Sequence, residues 1–235
     1  MILRKAVPSV FTVGNLFLGI IAIIFAFEGK WDYAAIMVIA GMLLDGLDGR
    51  VARMLNAQSE FGKELDSLSD IITFGVAPAF IMYVEILSDF GIWGWIITAI
   101  FPICGALRLA RFNVQSGIPG YFIGLPITAA GGILATFALY YGSLPTPILI
   151  IGMLGLSFLM VSDIKYPSFK TLGIPKFVYY ISAFVIAAIL VVAIYYPGQV
   201  NKLLFLPLAL YALYGFRKKG RTYRRFFRKR KPKDI

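Results

Sequence analysis

Histidine is absent from the 235 residues of this chain, and cysteine occurs once, at Cys104. Without histidine the chain cannot build a Ser-His-Asp triad or a zinc site with histidine ligands. A single cysteine excludes intramolecular disulfides and metal sites built from several sulfur ligands. Because Cys104 lies in an apolar run, we expect it to be a small buried hydrophobic residue. Any chemistry that this protein performs must therefore use other residue types.

Charged residues are also scarce, at 15% of the chain, whereas 59% of the residues are hydrophobic and the mean hydropathy is +0.80. Apolar stretches of about 20 residues recur, and each is long enough to cross the ~30 Å hydrocarbon layer of a membrane. The sequence therefore predicts an all-α polytopic membrane protein. Glycine and proline breakers divide it into about eight helices, at 10–28, 33–55, 63–87, 92–111, 121–141, 145–162, 178–196 and 201–217.

Basic residues predict how the chain is oriented. If the N-terminus is cytoplasmic, only Lys30 and Lys202 of the 23 basic residues fall in outside loops. We therefore expect a protein of the cell membrane with both termini and the active site on the cytoplasmic side. We divide the chain into a transmembrane catalytic domain, 1–217, and a basic cytoplasmic tail, 218–235. A basic run directly after a span indicates an anchor on anionic lipid headgroups, and we expect no nucleic-acid partner.

Four aspartates interrupt the apolar pattern between the second and third predicted helices: Asp45, Asp48, Asp66 and Asp70. Ionised groups near the membrane interior are costly and usually functional. The first two share a helix face with Gly49, Ala52 and Arg53, and the last two share a face of the next helix with Gly62. A polar turn joins the helices, so the hairpin presents four carboxylates at similar depth near the cytoplasmic surface.

Carboxylates at close quarters repel one another unless positive charge lies among them. Oxygen ligands suit the hard cations Mg²⁺, Mn²⁺ and Ca²⁺, and small neighbouring residues let a bulky ligand approach the backbone. Alternatives stay open at this point: interhelical salt bridges to Arg50, Arg53 and Lys63, a cation transporter with its ion among the aspartates, or a non-catalytic anchor that uses the basic tail.

The string D-x-x-D-G-x-x-A-R-x8-G-x3-D-x3-D runs from Asp45 to Asp70 without a departure, and it resembles the signature of the CDP-alcohol phosphotransferases. Further segments are similar to the integral-membrane phosphatidylserine synthase branch of that family. They are FTVGNLFLGIIAI, ELDSLSDIITFGVAPA, CGALRLARFNV, FIGLPI and LMVSDIKYP. Together they reach from about residue 8 to 170.

This resemblance implies the family's helical fold, a homodimer and two divalent cations per site, Mg²⁺ or Mn²⁺ with Ca²⁺ as a further possibility. The implied metal ligands are the four aspartates, with Asp70 also the catalytic base. The implied reaction transfers a phosphatidyl group from CDP-diacylglycerol to L-serine and releases CMP; glycerol 3-phosphate and inositol phosphate are alternative acceptors. The implied CDP-diacylglycerol contacts are Thr12, Asn15, Gly49, Ala52, Arg53, Ser59 and Gly62.

The motif does not specify the acceptor alcohol. The carboxylate of serine would suit a guanidinium fork, and Arg108 and Arg111 lie one helical turn apart, so both could face one cavity. Asn113 could add a polar contact at the same helix end. The alternative is that both arginines are positive-inside anchors of the fourth predicted helix.

Overall fold

The computed structural model describes residues 2–114, 121–137 and 144–167. Within these ranges the chain forms six helical rods and a small sheet, in agreement with the first six predicted helices. The predicted helices at 178–196 and 201–217 and the tail at 218–235 lie outside the described residues.

The first two helices form a long antiparallel hairpin. Helix α1 spans Ile2–Phe27 and α2 spans Trp31–Met54, and the turn between them uses Gly29 at a φ of +70°, where glycine carries no steric penalty. These two helices make the most extensive contact in the described structure. The hairpin places the C-terminal half of α2, with its aspartates, against α1.

The third rod is not the uninterrupted helix that the sequence predicts at 63–87. It begins with α3, whose N-terminal residue Glu60 follows the cap Ser59, and it ends at Phe90. Two stretches adopt the wider π-helical winding, which changes the direction of the side chains that follow. The successive segments are α3 at Glu60–Asp70, a π-helix at Ile71–Val76, α4 at Ala77–Met82, a π-helix at Tyr83–Leu87 and a 3₁₀ turn at Ser88–Phe90.

The remaining elements are helices α5, α6 and α7 and two short strands. Their bounds are α5 Ile92–Val114, β1 Tyr121–Ile123, α6 Ile127–Phe137, α7 Thr146–Val161 and β2 Lys165–Pro167. The prediction that a helix begins at 121 is wrong. Residues 121–123 instead pair antiparallel with β2, and Gly124 turns the chain at a φ of +77° just before α6.

Within the part of the chain that the structure describes, three helices are long and apolar enough to cross a membrane: Val7–Phe27, Glu60–Phe90 and Ile92–Val114. Helices α6 and α7 are apolar but shorter. Large apolar side chains are exposed on the outer faces of these helices, among them Phe17, Trp93 and Phe158. Exposing such a surface to water would be unfavourable, whereas exposing it to lipid carries no comparable free-energy cost. The described structure is therefore that of an integral membrane protein.

Close packing of α1, α2 and the third rod positions the aspartates. A Cβ added to Gly19 of α1 would lie 2.8 Å from the Thr73 Cα, and one added to Gly41 of α2 would lie 2.7 Å from the Thr73 Cγ2. The Thr73 hydroxyl donates a hydrogen bond to the backbone carbonyl of Asn15 at 2.9 Å. Only glycine permits these approaches, and they hold the three helices together below the site.

Candidate active site

Three of the four aspartates converge where α2 meets α3. Carboxylate oxygens of Asp45, Asp48 and Asp66 lie within 4.8 Å of one another. Asp48 is buried, and the other two are half-buried. A hard divalent cation takes oxygen ligands at about 2.0–2.6 Å, so one cation could contact all three side chains after small movements.

Asp70 lies one helical turn beyond Asp66, at the last residue of α3 before the π-helical stretch. It is buried, and its Oδ1 atom has no hydrogen-bond partner among the described residues. It is within electrostatic range of the other three carboxylates and of Arg108. A buried carboxylate oxygen without a partner is costly, so this atom is suited to bind a cation or a substrate hydroxyl.

Hydroxyl groups tie α1 to this acidic cluster. The Thr12 hydroxyl lies 2.9 Å from Asp48 Oδ2 and donates to it. One turn before Thr73, Ser69 donates to the backbone carbonyl of Thr12 at 3.0 Å. The carboxylate of Asp48 is thereby oriented by the first helix, and α3 is fixed to the same turn of α1.

A cavity of about 570 Å³ opens on one side of the carboxylates. Six of the seven residues predicted to contact the nucleotide line it: Thr12, Gly49, Ala52, Arg53, Ser59 and Gly62. Asn15, the seventh, does not. It lies one turn deeper, fully buried beside Gly41, and its amide atoms have no hydrogen-bond partner among the described residues. Three residues, or a rise of about 4.5 Å, separate Thr12 from Asn15, and this step takes Asn15 out of the cavity.

The turn between α2 and α3 forms the floor of this first cavity. Ser59 caps α3 by accepting a hydrogen bond from the Gly62 backbone N–H at 3.0 Å. A Cβ on Gly62 would lie 3.1 Å from the Ser59 Oγ, and Asn56 in the turn has a φ of +49°. The two motif residues Ser59 and Gly62 therefore shape the backbone as well as line the cavity.

A second cavity, of about 360 Å³, opens on the other side of the carboxylates. Asp66 and Lys63 line both cavities, so the acidic cluster stands at the junction between them. Both volumes fall in the range of about 300–1,000 Å³ that is typical of small-molecule sites. The polar and aromatic residues of the second cavity include Asp45, Asp66, Asp70, Arg108, Asn113 and Phe122.

The two arginines of α5 separate in the structure. Arg108 is buried and lines the second cavity, and so does Asn113, whose amide donates to the Ser67 hydroxyl at 2.9 Å. Arg111 does not line it, so the prediction that both arginines face one cavity does not hold for Arg111. A spacing of three residues rotates a side chain about 60° around the helix axis, and this rotation turns Arg111 towards α7.

The Arg111 guanidinium binds the C-terminal end of α7. Its Nη1 donates to the Val161 carbonyl at 3.2 Å and to Asp163 Oδ1 at 3.1 Å. Its Nη2 donates to the carbonyls of Met160 at 3.4 Å and Ser162 at 3.1 Å. A cation at a helix C-terminus satisfies carbonyls that lack helical partners, so Arg111 joins α5 to α7.

Sequence reasoning did not single out Lys63 or Phe122 as site residues. The sequence indicates Lys63 only as a salt-bridge partner, yet it lines both cavities, and its ammonium lies 3.4 Å from the Asn113 carbonyl. Its place in the motif, one residue after Gly62, could have indicated it. Phe122 lies in FIGLPI, but no local pattern shows that a strand carries it to the cavity.

Comparison with known proteins agrees with the motif. The profile of the CDP-alcohol phosphatidyltransferase family matches residues 5–195. The chain belongs to this family. The matched region contains both cavities and nearly every described element of this CDP-alcohol phosphatidyltransferase.

Individual members of the CDP-alcohol phosphatidyltransferase family are similar over about 70% of this chain. A Helicobacter pylori protein named CDP-diacylglycerol–serine O-phosphatidyltransferase is 43% identical over 69% of this chain and 72% of its own length. A Bacillus subtilis protein of the same name is 41% identical over 70% of this chain and 91% of its own. An archaetidylserine synthase of Methanothermobacter thermautotrophicus is 37% identical over 72% of each chain.

Proposed function

We propose that this protein transfers the phosphatidyl group of CDP-diacylglycerol to the hydroxyl of L-serine, giving phosphatidylserine and CMP. The observation that carries the proposal is the junction of two cavities at one acidic cluster, with Asp66 on both sides. A group transfer needs two substrates whose reacting atoms meet. The names of the relatives at 41–43% identity support the pairing of CDP-diacylglycerol with serine.

The first cavity is the proposed nucleotide site. Gly49, Ala52 and Gly62 leave room at the helix faces, so the cytidine and diphosphate can approach the backbone. Arg53 and Lys63 bring positive charge to the same cavity, which suits a diphosphate. The acyl chains would stay in the bilayer beside the apolar outer faces of the helices.

The acidic cluster fits divalent cations by its chemistry. It offers only carboxylate oxygens, its members are too close to be left without positive charge, and the buried Oδ1 of Asp70 has no partner among the described residues. We propose two ions, Mg²⁺ or Mn²⁺, held by Asp45, Asp48, Asp66 and Asp70, with Ca²⁺ possible. When bound, such ions neutralise the phosphate oxygens and stabilise the charge that develops in transfer.

The second cavity is the proposed acceptor site. The serine hydroxyl, placed beside Asp70, forms a bond from its oxygen to the lipid-side phosphorus as the bond from that phosphorus to the CMP oxygen breaks. Asp70 takes the hydroxyl proton as general base. Arg108 offers a guanidinium to the serine carboxylate and Asn113 a polar contact, whereas Arg111 is excluded from this role by its contacts to α7.

We further propose that the catalytic domain, 1–217, is a multi-pass protein of the cell membrane with about eight spans. Both termini and the active site would then face the cytoplasm, as the distribution of basic residues favours. The tail at 218–235 would lie on anionic headgroups, and two copies would form a homodimer. Family resemblance supports the dimer and the fold. The apolar runs support the number of spans, and the distribution of basic residues supports the orientation and the placement of the tail.

The deciding experiment offers the purified protein CDP-diacylglycerol with Mg²⁺ or Mn²⁺ and one acceptor at a time. The acceptors are L-serine, glycerol 3-phosphate and inositol phosphate, and the products are identified by mass spectrometry while CMP release is measured. We expect phosphatidylserine and CMP in equal amounts with serine alone. A lipid product with a different acceptor, and none with serine, would replace the substrate assignment. The absence of CMP release with all three would refute the transferase itself.

A further inference from the structure

The guanidinium of Arg108 lies against two aromatic rings at the second cavity. Its Cζ atom is 5.3 Å from the centre of the Phe112 ring and 5.9 Å from that of Phe122. The two ring centres are themselves 5.9 Å apart, with the rings tilted by 53°. All three residues line the same cavity as Asp70. Ring faces attract a cation and restrict its movement.

Phe112 and Phe122 reach this position by different routes. Phe112 follows Arg108 by four residues on α5, so the two side chains share a helix face. Phe122 comes from β1, where it pairs with the fully buried Tyr166 of β2. It thus depends on a long-range contact that brings two strands together beside α5.

The backbone that carries Phe122 is fixed immediately after the strand. The Gly124 N–H donates to the Ile164 carbonyl at 2.8 Å, and the Leu125 N–H donates to the Leu159 carbonyl at 3.0 Å. A Cβ on Gly124 would lie 2.2 Å from the Met160 carbonyl oxygen, so no side chain is tolerated at this approach. Phe122 is therefore presented to Arg108 from a well-defined backbone.

We infer that Phe122 is a positioning residue for acceptor recognition. Together with Phe112 it holds the Arg108 guanidinium in one orientation, so that the cavity selects an alcohol that carries a carboxylate. This inference rests on the proposed function, because it assigns the chemical basis by which the same site chooses serine. An arginine side chain has many rotamers, and a fork that is already oriented loses less conformational freedom when it binds a carboxylate.

The inference predicts a preference among acceptors. Serine and ethanolamine both carry a hydroxyl and an ammonium, but only serine has a carboxylate. Discrimination between them should depend on Arg108 and, through it, on the ring of Phe122. The diphosphate of the lipid substrate should be little affected, because Arg108 and Phe122 line the second cavity and Arg53 lines the first.

The test measures steady-state kinetics of Phe122→Leu and Phe122→Tyr in the full chain. Leucine keeps apolar bulk but removes the ring face, so KM for serine should rise about fivefold, as expected for the loss of one ring–cation contact. The ratio of kcat/KM for serine to kcat/KM for ethanolamine should fall by the same factor. The KM for CDP-diacylglycerol should not change. Tyrosine retains the ring and should restore serine KM. Phe158→Leu, at an exposed ring of α7, is the matched control.

A double-mutant cycle separates positioning from general structural damage. Arg108→Lys should raise serine KM by itself, and adding Phe122→Leu to it should raise KM little further, because the ring acts through the guanidinium. If the KM increases of the two single variants multiply in the double variant, the inference is wrong. It is also wrong if Phe122→Leu leaves the KM for serine unchanged. If Phe122→Leu fails to fold, Phe112→Leu, at a more exposed ring, takes its place in the cycle.

The wild type distinguishes the two levels of failure. A wild type that makes phosphatidylserine while the cycle fails would refute only the positioning role. A wild type that makes no phosphatidylserine would overturn the proposed function and this inference with it. A change confined to the lipid KM would show that Arg108 serves the diphosphate, and it would likewise overturn the inference.

Discussion

At the scale of single residues, the site depends on acids that are costly to leave without positive charge. Changing Asp45, Asp48 or Asp66 to Asn removes one charged oxygen ligand from a cluster whose members lie within 4.8 Å of one another. We expect turnover to fall about 100-fold or more, because even residues that only support a metal ligand contribute about 10–100-fold. The measurements are CMP release and divalent-ion binding by calorimetry.

The control for these variants is Asp89→Asn, since Asp89 is exposed in the 3₁₀ turn at the far end of the third rod. It should leave turnover and ion binding unchanged. EDTA should abolish turnover by the wild type, and added Mg²⁺ or Mn²⁺ should restore that turnover. Full activity in any one of the three cluster variants would contradict the shared cation site.

Replacement of Asp70 should have a different effect, because Asp70 lies beside the cluster and lines the second cavity, which is the proposed acceptor site. Asp70→Asn should lose turnover but still bind CDP-diacylglycerol in the presence of a divalent ion, since an amide cannot take the hydroxyl proton. Equilibrium binding of the lipid, measured beside turnover, tests this. If lipid binding collapses as completely as in Asp45→Asn, Asp70 is chiefly a ligand and the proton goes elsewhere.

At the scale of helices, the site depends on how closely α2 approaches α1 and the third rod. Gly41→Ala places a methyl group 2.7 Å from both the Asn15 Oδ1 and the Thr73 Cγ2, and such overpacking costs about 1–3 kcal/mol. We expect a lower Tm in detergent and reduced turnover, because the aspartates belong to the helices that would be displaced.

Gly46→Ala is the matched control on the same helix, since a Cβ there meets nothing within 4 Å. It should keep or slightly raise Tm, because alanine favours helix over glycine by about 1 kcal/mol. Equal losses of Tm in the two variants would show that the close approach at Gly41 does not matter to stability.

The junction of α5 and α7 gives a second prediction at this scale. Arg111→Ala removes donors to three carbonyls and one carboxylate, and hydrogen bonds from a charged group contribute about 1.5–3 kcal/mol. Asp163→Ala removes only an exposed partner, since the Asp163 side chain is 95% accessible, and exposed ion pairs contribute little. Tm should therefore fall clearly in the arginine variant and little in the aspartate variant. Comparable losses in both would show that the ion pair, not the capping of α7, joins the helices.

At the scale of the whole molecule, charge and chemistry are separated along the chain. Eleven of the 23 basic residues follow residue 216, whereas every motif residue lies between Asp45 and Asp70. Deleting residues 221–235 should therefore leave kcat and the KM for serine close to those of the full chain, while each lost basic group weakens attraction to anionic lipid by about 1 kcal/mol. Turnover assays in vesicles with and without anionic lipid test both parts. A deletion that folds but cannot turn over would show that the tail reaches the active site.

The sequence by itself determined the parts of this protein that depend on local order. Long apolar runs predicted the first six helices because a backbone in lipid must satisfy its own hydrogen bonds. The spacing of Asp45, Asp48, Asp66 and Asp70 predicted a carboxylate cluster because residues three and four apart share a helix face. Six of the seven residues that the family resemblance implied as nucleotide contacts line the first cavity, and five of these six lie on α2, on α3 or in the turn between them.

Only the tertiary structure decided the rest. Arg108 and Arg111 have the same type and nearly the same position, and their different surroundings arise because one meets two aromatic rings and the other meets the end of α7. Residues 121–123 have an apolar composition that fits a helix, yet they form a strand because a partner strand from 165–167 lies beside them. Contacts between residues some 40 positions apart leave no periodic trace in a single sequence, and in this protein such contacts shape the second cavity.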